Sequence, residues 1–111
     1  MLKIKHYSRK FLNKATGVAA IECGISSTEW CGGVDGSITI SDCSRRVTLD
    51  FGVYDGKDLD VKLAKLNLLV EEISKFRDVY LDNYDAIKED IVKREQERKK
   101  KFKQADKNEL Q

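Results

Sequence analysis

Among 111 residues the chain has no proline, one histidine, one tryptophan and three cysteines, and it has no long apolar run. Each scarcity excludes something. Without proline, nothing in the backbone forces a helix to kink or stop. Without a run of about eighteen apolar residues there is no candidate membrane-spanning helix. The N-terminus also lacks the apolar stretch of a secretory signal, so a cytoplasmic location with no membrane association is expected. Cys23, Cys31 and Cys43 are an odd set at unequal spacing, a poor disulfide framework that suits reduced thiols.

The same scarcity limits chemistry. Cys23, Cys31, Cys43 and His6 are the right ligand types for zinc, but no two lie closer than eight residues, whereas structural zinc sites draw on tight pairs. A nucleophile would have to pair with His6, which falls at an inward-facing strand position, where a packed role is the ordinary one. Glu22, Glu29 and Asp50 offer carboxylates with nothing to fix their separation. The Gly32-Gly33-Val34-Asp35-Gly36 segment lacks the spacing of a phosphate loop and precedes a strand pattern instead of a helix, so it reads as a flexible connection. The expectation is a protein that is not an enzyme and holds no catalytic centre, no metal and no cofactor.

What the chain does have is charge. Charged residues make up 36% and apolar residues 41%, with a net charge of +2. So much charge implies that a large part of the chain lies in water. The distribution is uneven. Lys3 to Lys14 holds five bases and no acid, Asp58 to Val92 nine acids and five bases, and Lys93 to Lys107 eight bases and three acids. An acidic start and a basic end suit the dipole of one long helix.

The first half alternates with period two, the signature of strands with one buried face. Leu2, Ile4 and His6 share a side of a first strand. Ala19, Ile21, Cys23 and Ile25 share a face of a second, after a polar turn at Asn13-Lys14-Ala15-Thr16-Gly17. Ile38 and Ile40 line a third, and Val47, Leu49, Phe51 and Val53 a fourth, joined through a turn at Asp42-Cys43-Ser44-Arg45. The opposite face carries Glu22, Ser37, Thr39, Ser41, Thr48 and Asp50 and is expected to meet water.

From Asp58, the expected N-cap, helix-forming residues run to about Phe102 without glycine. Apolar residues recur in four-three steps at Leu59, Leu63, Leu66, Val70, Ile73, Tyr80, Tyr84, Ile87 and Ile91, with Arg77 the one interruption. Extra apolar residues at Leu68, Leu69, Phe76 and Val79 widen the first part of the stripe, which predicts docking of that part on the apolar side of the sheet. Beyond Asp82 only the narrow seam remains. The reading is therefore an α+β single domain over residues 1–111: a small antiparallel β-meander of three or four strands in 1–56, one long amphipathic helix with coiled-coil-like heptads in 57–104, and a frayed tail in 105–111.

Length then argues for assembly. A helix of this size is roughly 65 to 70 Å long, whereas strands of six or seven residues span about 20 Å. The sheet cannot cover it, so the distal part either folds back near Asp82-Asn83 or meets another copy or another protein. An unbroken heptad phase favours the latter, with Tyr80, Tyr84, Ile87 and Ile91 as the oligomer interface. The function expected is a small oligomeric accessory, regulatory or inhibitor protein that binds a protein target. Trp30 on the glycine loop and Thr39 and Thr48 on the polar sheet face are the candidate partner contacts, unless Trp30 folds down over the core. The alternative is nucleic-acid binding through Lys3, Lys5, Arg9 and Lys10 with Lys99 and Lys100, which are interleaved with aromatic residues. A third possibility is small-molecule or nucleotide capture between subunits.

Overall fold

The computed structural model describes residues 2–13 and 17–109, with 106–109 by backbone alone. Residues 14–16 of the first turn, including Lys14, lie outside them. Four strands, β1 (Lys5–Phe11), β2 (Ala19–Ser27), β3 (Val34–Asp42) and β4 (Arg45–Asp50), precede one helix, α1 (Gly56–Glu109). The arrangement is α+β, an antiparallel meander in the order β1-β2-β3-β4 followed by the long helix. The chain divides into two compact units, 1–69 and 70–111. Among the described residues no helix is long and apolar enough to cross a membrane.

Register turns the period-two alternation into two faces. Ser8, Cys23, Ile38 and Leu49 form one rung, and Lys10, Ile21, Ile40 and Val47 the next. The opposite face is built from Arg9, Glu22, Thr39 and Thr48, and from Tyr7, Gly24, Ser37 and Asp50. A slip of one residue would exchange these faces, so the apolar set fixes the pairing. The β3–β4 connection is the two-residue turn Cys43-Ser44, in which Cys43 takes a left-handed φ of 55° and its amide also bonds the Val18 carbonyl at 3.3 Å. Beyond β4 the chain keeps pairing with β3, through reciprocal 2.8 Å bonds between Val34 and Val53.

The helix begins earlier than its charge pattern suggests. The Asp55 carboxylate accepts hydrogen bonds from the amides of Lys57 and Asp58, both at 2.9 Å, so Asp55 is the N-cap and Asp58 an acid of the first turn. Gly56 hides the start, because glycine reads as loop. The helix passes through Asp82 and Asn83 unbroken and continues over residues 105–109, which composition assigned to a tail.

Within the first unit, the expected cover over the sheet is made only in part, by Leu66 and Leu69. Within the first unit, α1 engages the end of β4. Lys65 donates to the Asp50 carbonyl at 2.7 Å and lies 4.8 Å from the Phe51 ring, while Lys62 meets the Asp50 carboxylate at 3.4 Å. Leu66 reaches a cleft with Cys23, Ile25, Ile38 and Phe51. Leu69 is half-buried, but Leu59, Leu63 and Leu68 of the same unit are all more than half exposed. Lysines that latch onto Asp50 hold the helix start where a stripe of leucines was expected to dock. Among the described residues the only buried apolar side chains are Ala19 and Ala20, at 6% and 4% exposure.

Candidate functional site

Three surfaces carry the residues that the sequence singles out. The first is the distal seam. Tyr80, Tyr84, Ile87 and Ile91 share one side of α1 and, with Lys88 and Val92, line a shallow apolar groove of about 310 Å³. Phe76 packs edge-on against Tyr80 at 5.3 Å between ring centres, the geometry aromatic pairs prefer. The four seam residues stand 43 to 59% exposed. Short-range ion pairs hold the outward faces of this part of the helix: Lys75 with Glu71 at 3.2 Å and Arg94 with Asp90 at 3.1 Å. Such pairs contribute a few tenths of a kcal/mol each and do not replace a packed core.

The second surface is the polar sheet face. Thr39 and Thr48 bond each other across β3 and β4 at 2.9 Å, which occupies the hydroxyls proposed from sequence for a partner. Beside them Glu22 is shared by Arg9 at 3.2 Å and the Tyr7 hydroxyl at 3.3 Å. A groove of about 610 Å³ opens over this face. Its floor is the small row Gly24, Ser26 and Ser37, its sides include Tyr7 and Tyr54, and its carboxylates are Glu22, Asp35 and Asp50. Tyr54 donates to Asp35 at 2.5 Å, and this bond to a carboxylate pushes the phenol up to about 12. The Gly52 amide and the Lys62 ammonium hold the Asp50 carboxyl below its ordinary range. Tyr7, Gly24 and Tyr54 were missed from sequence. The alternation contained the signal for Tyr7 and Gly24, since both share the parity of the polar rung, but Tyr54 lies beyond the last strand, where parity says nothing.

The third surface is the β2–β3 loop. Trp30 is 96% exposed, so it does not close over the sheet. The loop beneath it is tied: the Thr28 hydroxyl donates to the Gly32 carbonyl at 2.6 Å and the Thr28 amide to Gly33 at 3.1 Å. Gly32 and Gly33 both adopt left-handed φ, 74° and 78°. Trp30 sits beyond the Ser27 end of β2, while Thr39 and Thr48 occupy a middle rung, so the proposed partner contacts do not converge on one patch.

The basic residues divide. Lys5 and Arg9 belong to the polar face and Lys10 to the opposite one, with Arg9 also lying 5.1 Å from the Phe11 ring. Lys3 precedes β1, and Lys99 and Lys100 are on α1 in the second unit. His6 and Cys23 line the same cleft on the apolar face, whose lining holds no carboxylate to orient the imidazole. The three cysteines are free, and among the described residues no three metal-ligating side chains converge. The chain matches no protein-family model, no curated protein and no solved structure.

Proposed function

We propose that this chain is a non-enzymatic interaction module that works as a homo-oligomer, with the helical seam as its assembly surface and the Trp30 loop as its contact with a protein target. One observation carries the reading: two alanines are the whole buried apolar set among the described residues. Two alanines do not offset the conformational entropy of ordering a chain of this length. The accessible surface is 10009 Å², against roughly 6,200 Å² expected of a compact 12.7 kDa monomer. The excess, about 3,800 Å² per chain, is surface that a second copy can cover. A second copy supplies the missing apolar contact.

Light scattering on the full chain and on a version ending at Leu81 tests this. The expected result is a multimer that becomes a monomer on truncation. A full-length monomer with intact helicity overturns the assembly reading. For the target, Trp30→Ala should leave the multimer unchanged and weaken capture of the target, because an isolated exposed tryptophan contributes to binding and not to folding. Equal capture by wild type and Trp30→Ala removes the loop from the interface.

The polar groove favours one second reading, capture of a small polar ligand. Three carboxylates against Lys5 make it a better host for a cationic or neutral group than for a nucleotide. A thermal shift that grows with the concentration of a polyamine or amino compound, following mass action, supports it.

A further inference from the structure

Resting on the homo-oligomer reading, we propose that two copies of α1 pair antiparallel, with their seams centred near Lys75. The orientation follows from where the seam's one charge sits. In a parallel, in-register pair every seam residue meets itself, so Arg77 would face Arg77 of the second copy inside the apolar strip, an unpaired like-charge contact at the position least able to hydrate it. The flanks repeat the problem. Residues 93–103 carry seven bases and two acids, and parallel alignment sets this segment against itself.

Reversing one helix removes both conflicts. The continuous helix and its four-three spacing permit a set of antiparallel registers that differ by one heptad. One of them overlaps the full apolar seam from Leu59 to Ile91. It places Leu59 opposite Ile91 of the second copy and Leu63 opposite Ile87, and it sets Arg77 beside Ile73, where the long side chain can extend past the strip to water. In an antiparallel pair the flanking positions meet their own kind. In this register Asp60 therefore faces Lys88 of the second copy, on the flank of the seam away from Lys62, which is engaged with Asp50. This contact joins opposite charges, and symmetry makes it occur twice. Shifting by one heptad in the direction that lengthens the overlap sets Asp60 against Glu95 and so places like charges together.

The register also explains the polarity of the charge along the helix. It carries the basic segment of each copy past the start of the other helix, where the chain holds Asp50, Asp55 and Asp58. Asp55 is the cap, Asp58 an acid of the first turn and Asp50 the acid of the latch on β4, so assembly brings the basic end of one copy to the acidic junction of the other. Electrostatic complementarity of this kind selects orientation more than it adds affinity.

Disulfide trapping reads the orientation directly. In a chain with Cys23, Cys31 and Cys43 replaced by alanine, Leu59→Cys and Ile91→Cys are made separately, mixed and mildly oxidised. The antiparallel register yields the mixed disulfide at least tenfold over either self-linked product. Efficient self-linking of both single variants overturns the antiparallel pairing while leaving the homo-oligomer reading standing. A monomer by light scattering before oxidation sinks that reading itself. A charge swap gives an independent check. Asp60→Lys should weaken association by about tenfold, the size of two flanking like-charge contacts, and adding Lys88→Asp in the same chain should restore it. Failure of the restoration, with the double variant still helical, overturns this register.

Discussion

The sheet and the distal part of the helix hold their backbones in opposite ways. In the sheet, each strand obtains its hydrogen bonds from a neighbour remote in sequence, so Ser8, Cys23, Ile38 and Leu49 are brought together only by folding. Beyond Leu69 the helix bonds within itself, and the side-chain contacts among its described residues are local: Lys75 with Glu71, Phe76 with Tyr80, Asn83 with the Val79 carbonyl, and Arg94 with Asp90. Local bonding sets secondary structure but leaves the apolar seam in water. Helices in water are marginal without tertiary packing. Under the proposed assembly the dependence on a second copy lies in the helix, and the two regions should respond to different perturbations.

The largest effect should come from Ile87→Asp with Ile91→Asp. Burial of four such side chains per dimer, at about 1.5 kcal/mol each, contributes about 6 kcal/mol to association. Their loss should leave a monomer at micromolar concentration in light scattering, with circular dichroism showing helix lost and strand signal retained. A multimer of unchanged mass would show that assembly does not use the distal seam.

On the sheet side, Gly33→Ala should cost about 3 kcal/mol, within the range of strained backbone substitutions. An added Cβ there would lie 2.0 Å from the Val53 carbonyl oxygen, and φ is already left-handed. The adjacent Gly32 shares the left-handed φ but has open space around it, so Gly32→Ala should cost only about 1 kcal/mol. Urea melts of the two variants at one protein concentration separate steric blockage from backbone preference. Equal effects would mean that the close approach of Gly33 to Val53 is not rigid.

Those glycines show where sequence is legible and where it is not. Alternation sufficed for the four strands and both faces, because side chains in a strand point by parity and Ile21, Cys23, Ile38 and Leu49 leave one register that keeps them together. It sufficed as well to place Tyr80, Tyr84, Ile87 and Ile91 on one side of α1, since helical spacing is a local property. It failed wherever the outcome depends on distant chain. The alternation puts Val53 on the fourth strand, but nothing local says that its carbonyl lies so close to position 33 that only glycine fits there. Nothing local says that Lys62 and Lys65 latch onto Asp50, which is why the wide stripe seemed destined for the sheet. Tyr54 reaching Asp35 is likewise a contact made by the return of the chain.

At the junction of the two regions, Asp55→Ala should destabilise the helix start by about 1 kcal/mol, the ordinary worth of an N-cap. Asp58→Ala should cost about half as much, since Asp58 keeps only its favourable place near the dipole. Thermal melts that rank the two the other way round would move the cap to Asp58.

The smallest and most specific effect is the pH response of Tyr54. Its hydrogen bond to Asp35 favours the protonated phenol and raises its titration from the ordinary value of 10.0 to about 12. A group raised on folding contributes stability that is complete below its unfolded value and lost as pH rises through the folded one. The stability difference between wild type and Tyr54→Phe should therefore be constant up to about pH 10, then shrink and vanish near pH 12. Asp50 runs the other way, because its carboxyl is depressed. The contribution seen with Asp50→Asn should hold above the ordinary value of 3.8 and fade below it. Because Tyr54 and Asp50 both belong to the sheet unit, these responses should persist in the version ending at Leu81. Their disappearance on truncation would show that the sheet takes its geometry from the assembled helix, and the separation between the two regions would fail.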